Sequence, residues 1–382
     1  MNAEVQFVDR VRRRLAASAA PDLGVVVRAE QSSASVIADD ASLAAIEREV
    51  AAHVSGAGPL EPLLGLPGIT DVLVNAPSEV WLDRGRGLER AGVTFADDIA
   101  VRRLAQRLAS VAGRRLDDSS PFVDAALPDG TRLHAVLPPI TPHTTLSLRV
   151  LARRRFELPD LVEVRVAALL RAIVAARLTL VISGSTGTGK TTLLGALLGC
   201  VPPGERLVVI EDAAELVTSH PHAVRLVTRT ANVEGSGVIG LRELVRQALR
   251  MRPDRLVVGE FRGAEMAELL VALNTGHEGG AATLHANTAA DVPARLSALG
   301  ALGGLSSSAV ASQVASALDV VVHLRHGRFG SRGVAEIGVI EREGDELRVA
   351  PVWSCENGAG PRAAAFAERL AQRGVDGVGI LA

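Results

Sequence analysis

Leu178 to Leu198 reads LTLVISGSTGTGKTTLLGALL, and the fold of the chain turns on this stretch. Leu178 to Ser183 is a short apolar run rich in β-branched residues, the pattern of a buried strand. It breaks into GSTGTGKT, Gly184 to Thr191, which fits G-x-x-x-x-G-K-[ST] at every position. Helical apolar spacing begins at Thr192. Gly184, Gly187 and Gly189 can take backbone angles that close a loop around an anion, with successive N–H groups turned inward. The new helix adds the positive end of its dipole. Ser185, Thr186, Thr188 and Thr192 belong to the same cradle. Lys190 is placed to reach the β- and γ-phosphates of ATP, and Thr191 to offer its hydroxyl to Mg²⁺. Strand and helix on either side favour an occupied phosphate site over a bare glycine turn.

Composition sharpens this reading. Of 41 Lys+Arg residues, Lys190 is the single lysine. A chain that uses arginine everywhere else keeps a compact ammonium here, where a planar guanidinium does not fit. The length of 382 residues leaves room for two domains. Hydrophobic residues make up 48% but aromatics only 2%, so the cores must be built from Ala, Val and Leu. A net charge of −2 gives no global field toward nucleic acid or anionic lipid, and direct nucleic-acid binding is not expected. Cys200 and Cys355 have neither metal-ligand nor disulfide spacing, which suits a reducing cytoplasm. No apolar run follows the arginines at 12 to 14, which argues against a signal peptide. Leu296 to Leu318 carries no charge, but its glycines, serines and Gln313 predict two packed helices instead of a membrane span.

Taken in order, residues 1–57 read as a helical arm, with VQFVDRVRRRLA and LAAIEREVAAHV at helical spacing. Residues 58–151 read as a small α/β domain. Its expected strands are ITDVLVN, EVWLD, LERAGVTF, two or three across PFVDAALPDGTRLHAVLPP, and TTLSLRVL; Ile99 to Val111 is its expected helix. Residues 152–160, rich in arginine, read as a linker. Residues 161–345 alternate helices with apolar strands around the glycine loop, which predicts a mainly parallel sheet with helices on both faces. Its first helix is expected from Leu161 to Arg177. Residues 346–382 read as a tail.

Ligands of such sheets sit at the carboxyl ends of strands. Glu211, Asp212, Glu260 and His285 all fall at such ends. LVVGE places Gly259 where a metal-binding aspartate often stands, so Glu260 becomes the candidate to polarise an attacking water. A carboxylate behind four apolar residues is costly to bury without a task, and the alternative is an ion pair with a nearby arginine. Because Gly259 cannot hold metal, other carboxylates must complete a water-mediated Mg²⁺ shell. Glu211 is the first choice, on the expectation that its strand neighbours the glycine-loop strand, with Asp212 and Glu215 behind it. His285 is a candidate sensor of the γ-phosphate, weighed against a purely structural histidine.

GSTGTGKTTLL, ERLVVIEDAAEL, HPHAVRL, RQALRMRPDRLVVGEFRGAE, NTGHEGG and TLHAN resemble, in order, the Walker A, Asp box, Walker B and His box of the type II/IV secretion-system ATPases. The branch they look most like is that of the tight-adherence (Flp-type) pilus and conjugal-transfer-associated ATPases. The resemblance extends into the small domain through GPLEPLL, ITDVLVN, EVWLDRG, GRRLDDSSPFVDAALPDGTRLHAVLPP and LSLRV, and covers roughly residues 58 to 345. It implies a homohexameric ring of two-lobed subunits, each a PAS-like N-terminal domain followed by a RecA-like P-loop domain, with ATP between them. It implies that glycine at 259 is normal for the family and that Glu260 is catalytic. It also implies that Arg132 and Arg149 contact the nucleotide, and more weakly that Arg225 and Arg229 act in trans.

The expected function is therefore a cytoplasmic, membrane-peripheral motor. It would hydrolyse ATP to drive pilin assembly or substrate secretion through a polytopic inner-membrane platform protein. The rivals are a RecA-like nucleic-acid translocase and a nucleotide-gated scaffold without useful turnover. Near-neutral charge and scarce aromatics oppose the first; the retained Lys190 and Glu260 oppose the second. A small-molecule kinase is disfavoured by the lack of an acceptor-binding lid.

Overall fold

In a computed structural model the described residues are 56–85, 87–150, 155–229, 236–326, 332–376 and 378–381. The chain divides into two compact units between residues 152 and 153. The expected arm lies outside the described residues apart from its last two positions, Gly56 and Ala57.

Among the described residues the first unit is a six-stranded sheet with one long helix. Strands β1 (Asp71–Ala76), β2 (Glu79–Asp83), β3 (Leu88–Arg90), β4 (Phe122–Ala126), β5 (Arg132–Val136) and β6 (Thr145–Arg149) lie in the order β3-β2-β1-β6-β5-β4. Every pairing is antiparallel. Alternation builds the core: Val72, Val74, Val80, Leu82, Val123, Leu133, Leu146 and Leu148 are buried between more exposed neighbours. Helix α1 (Asp98–Val111) supplies Val101, Leu104, Ala105 and Leu108 at helical spacing to the same core. Asp97 caps it, accepting from Ala100 N at 2.8 Å. The expected strand LERAGVTF is shorter than its apolar pattern, since only Leu88–Arg90 pairs with β2.

Among the described residues the second unit is a nine-stranded sheet flanked by seven helices of two or more turns and by the one-turn helix Leu158–Leu161. The helix expected from Leu161 to Arg177 is broken at Val162 and Glu163 and runs only over Val164–Ala175. Its strands are β7 (Leu180–Gly184), β8 (Leu207–Glu211), β9 (Ala223–Val227), β10 (Arg255–Val258), β11 (Ala281–Leu284), β12 (Val320–His326), β13 (Arg332–Glu343), β14 (Glu346–Ser354) and β15 (Gly358–Ala359). Their order is β15-β14-β13-β12-β7-β11-β10-β8-β9. The run from β12 to β9 is parallel, and β13 to β15 extend it antiparallel. The helices are α2 (Val164–Ala175), α3 (Lys190–Leu198), α4 (Leu241–Leu249), α5 (Glu265–Leu273), α6 (Val292–Leu302), α7 (Ser307–Ala317) and α8 (Ala363–Gln372).

Each central strand feeds two cores, which is why its residues are buried on both faces and apolar apart from Ser183, Glu211, Arg255 and Thr283. Leu180, Ile182, Leu207 and Val209 face the core built with α2, α3 and α8. Val181, Val208 and Ile210 face the one built with α4, α5, α6 and α7. The uncharged stretch Leu296 to Leu318 is divided between α6 and α7. No helix among the described residues is long and apolar enough to cross a membrane.

Two expectations need correction. The sheet does not stop at residue 345: β14 pairs with β13 across a turn at Gly344, and Phe366 and Leu370 of α8 are buried in the core. The charged turn EREGDE hid this hairpin, because its polar residues read as a domain end. The strand carrying Glu211 is not a neighbour of the glycine-loop strand either. β11 and β10 lie between β8 and β7. Parallel strands joined by crossovers need not be adjacent in sequence order.

Candidate active site

The carboxyl ends of β7, β11, β10 and β8 deliver the glycine loop, His285, Glu260 and Glu211 to one edge of the sheet. Gly184 has φ +150°, Gly187 +77° and Gly189 +93°. At Gly184 a Cβ would stand 2.6 Å from Leu324 O, so no side chain fits where the loop leaves the sheet. The loop braces itself from within: the buried Thr188 donates its Oγ1 proton to Ser185 O at 2.8 Å. Thr186 O lies 3.5 Å from His326 Nε2. Behind the loop, buried Ser183 Oγ and His323 Nδ1 are 3.0 Å apart, and burial pushes the His323 imidazole pKa down.

Helix α3 starts at Lys190 with no side chain capping its N-terminus and no acid in its first turn, which includes Thr191 and Thr192. Its first backbone N–H groups therefore lack intrahelical acceptors and point toward the loop's concavity. Lys190 is buried, and its Nζ donates to Gly184 O and Ser185 O, each at 2.9 Å. This cradle fits the phosphates of a nucleotide. Its donors are backbone amides and one ammonium, and its glycine angles exclude a bulkier loop.

The third polar contact of Lys190 Nζ is His285 Nδ1, at 3.3 Å. On the far side of the ring, His285 Nε2 is 2.6 Å from Glu260 Oε1. Burial lowers the pKa of both Lys190 and His285. The Glu260 carboxylate opposes this shift in each, and nearby cations reinforce it. A neutral imidazole with its proton on Nε2 satisfies both contacts, accepting from the ammonium and donating to the carboxylate. Arg295 Nε of α6 donates to His285 O at 3.2 Å and steadies the strand end.

Glu260 is also paired on its other oxygen. Arg262 Nε donates to Glu260 Oε2 at 2.7 Å, and Arg262 Nη2 is 2.5 Å away. The arginine ion pair weighed as the alternative to a catalytic task is thus present, together with the histidine contact. The pattern LVVGE singles out the acid, whereas nothing in the spacing of the residues after it singles out Arg262.

Glu211 occupies a different place from the one expected. It is buried, and its Oε1 accepts from Leu216 N at 2.7 Å and Glu215 N at 3.1 Å. Its Oε2 lies 3.1 Å from Arg225 Nε. Burial raises its pKa against those donors. A Cβ at Gly259 would come within 2.9 Å of Glu211 Cγ, so the glycine makes room for this side chain. Asp212 Oδ2 lies 3.7 Å from Arg262 Nη1. Among the described residues no group of three or more His, Cys, Asp or Glu is placed to hold a metal.

The four candidate arginines separate. Arg225 also donates to Leu216 O, and Arg229 Nε donates to Gly237 O at 2.7 Å. Arg132 and Arg149 sit opposite each other on β5 and β6 of the first unit. They contact Asp124 Oδ2 at 3.3 Å and Asp71 Oδ1 at 3.0 Å respectively, and line a cavity of about 510 Å³.

A family model described as type II/IV secretion system protein matches residues 53–344. A protein of Mycobacterium tuberculosis (strain ATCC 25618 / H37Rv), placed by its name in conjugal transfer, is 53% identical over 346 residues, 87% of this chain and 98% of its own. The conjugal transfer protein TrbB of Rhizobium radiobacter is 33% identical over 285 residues, 72% of this chain and 84% of its own. The structure of the ATPase DotB of Legionella pneumophila aligns with TM-score 0.52 and 19% identity, covering 72% of this chain and 78% of that one. At that identity the likeness shows the fold, a two-domain α/β architecture with a RecA-like sheet.

Proposed function

The chain belongs to the type II/IV secretion system protein family, and from that membership we propose that it is an ATPase motor of a secretion or pilus-assembly system. The observation that carries the reading is the line from Lys190 through His285 to Glu260, which joins the phosphate cradle to a carboxylate. ATP supplies the scissile phosphoanhydride, with Mg²⁺ neutralising its terminal phosphates. The chain's own groups do the rest. The loop amides and Lys190 bind, the Thr191 hydroxyl faces the metal, Glu260 orients the attacking water, and His285 senses whether the lysine has turned to phosphate. Glu211 supports the Leu216 loop and would hold Mg²⁺ through water.

In this reading the subunits form a homohexamer, peripheral to the cytoplasmic face of the inner membrane. Arg132 and Arg149 of the PAS-like N-terminal domain contact the nucleotide in this reading, and Arg225 or Arg229 acts across a subunit boundary. The cycle pushes a polytopic platform protein that adds pilin or moves substrate. The relatives' names favour conjugal transfer as the setting.

The test is ATP turnover per subunit over a wide range of protein concentration, with Glu260→Gln beside the wild type. Specific activity that rises steeply and then levels, and collapses in Glu260→Gln, supports a ring motor. Wild-type turnover in Glu260→Gln removes the catalytic assignment. Absence of turnover at every concentration, with tight ATP binding, favours a nucleotide-gated scaffold.

A further inference from the structure

The two oxygens of Glu260 are unequally occupied. Oε2 receives the Arg262 Nε hydrogen bond at 2.7 Å and has Arg262 Nη2 at 2.5 Å, whereas Oε1 faces His285 Nε2 at 2.6 Å. A carboxylate oxygen has two lone pairs, so the guanidinium uses up Oε2 while Oε1 keeps one direction open. That open direction lies on the oxygen wired through His285 to Lys190.

The arginine is itself held in place. Glu265, buried at the start of α5, accepts Arg262 N at 2.7 Å and Gly263 N at 2.8 Å with its Oε1. Gly263 leaves this carboxylate room, since a Cβ there would come 3.1 Å from Glu265 Oε2. Asp212 Oδ2, 3.7 Å from Arg262 Nη1, attracts the guanidinium from the side opposite Glu260. Arginine, glycine and acid of the block FRGAE thus form one device, and its product is the pose of Arg262.

We propose that Arg262 is a positioning residue for Glu260: by occupying Oε2 it presents Oε1, beside His285, as the oxygen that receives the attacking water. The inference rests on the reading of Glu260 as the water-polarising acid. Arg262 touches neither water nor phosphate in this role; it fixes which carboxylate oxygen is available. Misplacement of a catalytic group by about 1 Å costs on the order of 100-fold in rate, which sets the scale of its contribution.

Three measurements test it. In nucleotide-free protein labelled with ¹⁵N-histidine, His285, assigned by its loss in His285→Asn, should show Nδ1 unprotonated and Nε2 protonated. Arg262→Ala frees the carboxylate to turn, so both ring signals should move, and Arg262→Lys should move them less. Unmoved signals in Arg262→Ala overturn the proposal. With ATP, Arg262→Ala should lower kcat about 100-fold while the Kd for a non-hydrolysable ATP analogue stays within about twofold, and Arg262→Lys should recover part of kcat. A half-exposed side chain should leave the melting temperature nearly unchanged, which separates this loss from misfolding. Finally, in single-turnover assays Arg262→Ala should cost nothing further in a Glu260→Gln background. An equal loss in that background means Arg262 acts on its own and ends the proposal. Full kcat in Arg262→Ala with a collapsed Glu260→Gln removes only the arginine's role, whereas full kcat in Glu260→Gln removes the underlying reading with it.

Discussion

Nζ of Lys190 lies 3.3 Å from Nδ1 of His285, a contact that spans two neighbouring strands and joins the phosphate loop to the end of β11. It makes sense only with a neutral imidazole, because a protonated ring would oppose the ammonium with a second cation. Burial, helped by Lys190, Arg262 and Arg295 and opposed by Glu260, lowers the His285 pKa accordingly. Activity that needs the neutral ring is lost as pH falls through that lowered value. The acidic limb of kcat should therefore lie below the ordinary histidine value of about 6.5. His285→Asn should lose the limb along with about 100-fold or more of kcat. A limb at or above the ordinary value would contradict the contact as described.

The same ammonium makes a sharp prediction for binding. Lys190 is buried, with two carbonyls and the imidazole around it. Lys190→Ala removes the only side-chain cation of the loop, and Lys190→Arg puts a planar group where a compact one is held. Both should weaken nucleotide binding by more than about 10-fold, at roughly the 1.4 kcal/mol per decade of any binding equilibrium. Titration with a fluorescent ATP analogue reads this directly. Wild-type affinity in Lys190→Arg would show that the pocket tolerates a fork.

Gly259 tests how the acids divide their work. An aspartate there would carry a Cβ 2.9 Å from Glu211 Cγ, on a backbone already bonded to Ile210 O and Thr283 Oγ1. Gly259→Asp should therefore not create a better metal ligand. It should overpack a half-buried position against Glu211 and destabilise the protein by about 1–3 kcal/mol, and calorimetry would show the lowered melting temperature. An unchanged melting temperature with raised activity would mean that Glu211 can vacate its place.

What was legible in the sequence and what was not follows a physical division. The phosphate loop is written in backbone requirements, so its glycines, lysine and helix start can be found by spacing alone. Glu260 and His285 were legible for a related reason: a polar residue that ends an apolar strand must lie at the sheet's edge. Strand order is non-local, which is why Glu211 was expected beside β7 and is found beyond β11 and β10. Arginine roles were also hidden, because forty similar side chains differ only in what surrounds them. Arg255 is the clearest case. It is buried, paired with Glu205 at 2.7 Å and bonded to Val174 O at 3.0 Å. Gly279 of the block NTGHEGG leaves it room, since a Cβ there would be 3.0 Å from Arg255 Nη1. The recognised block thus has a packing reason that no local pattern reveals.

His323 gives a stability prediction with a definite sign. Burial lowers its pKa, with the Asn287 backbone and Asp291 opposing and Arg325 and Lys190 reinforcing the shift. Between the lowered folded value and about 6.5 the unfolded chain binds more protons than the folded one, so stability falls as pH drops through that window. His323→Gln should flatten this part of the melting-temperature profile, provided the amide keeps the Ser183 bond. An equal slope in the variant would assign the acid sensitivity to another group.

The last prediction concerns where the second unit ends. A chain stopped at residue 345 loses β14, and with it the pairing of β13 from Glu336↔Ser354 to Glu343↔Glu346. It also loses Val352, Trp353, Phe366 and Leu370, all buried in the core that packs α2 and α3 against the sheet. Fully burying such a side chain is worth roughly 1.5–3 kcal/mol. Four of them together rival the whole net stability of a domain, about 5–15 kcal/mol. The truncated protein should therefore be insoluble or lack a cooperative thermal transition, whereas a chain stopped at residue 376, past α8, which loses only the buried Leu381 with Val378 and Ile380 beside it, should still unfold cooperatively with a modestly lowered melting temperature. A cooperative, nucleotide-binding 1–345 fragment would show that the hairpin and α8 are an appendage. The phosphate loop would then be supported by the parallel strands alone. Failure of the fragment, with retention of binding in the longer one, would place the C-terminal helix among the elements that hold α3, and hence Lys190, in position.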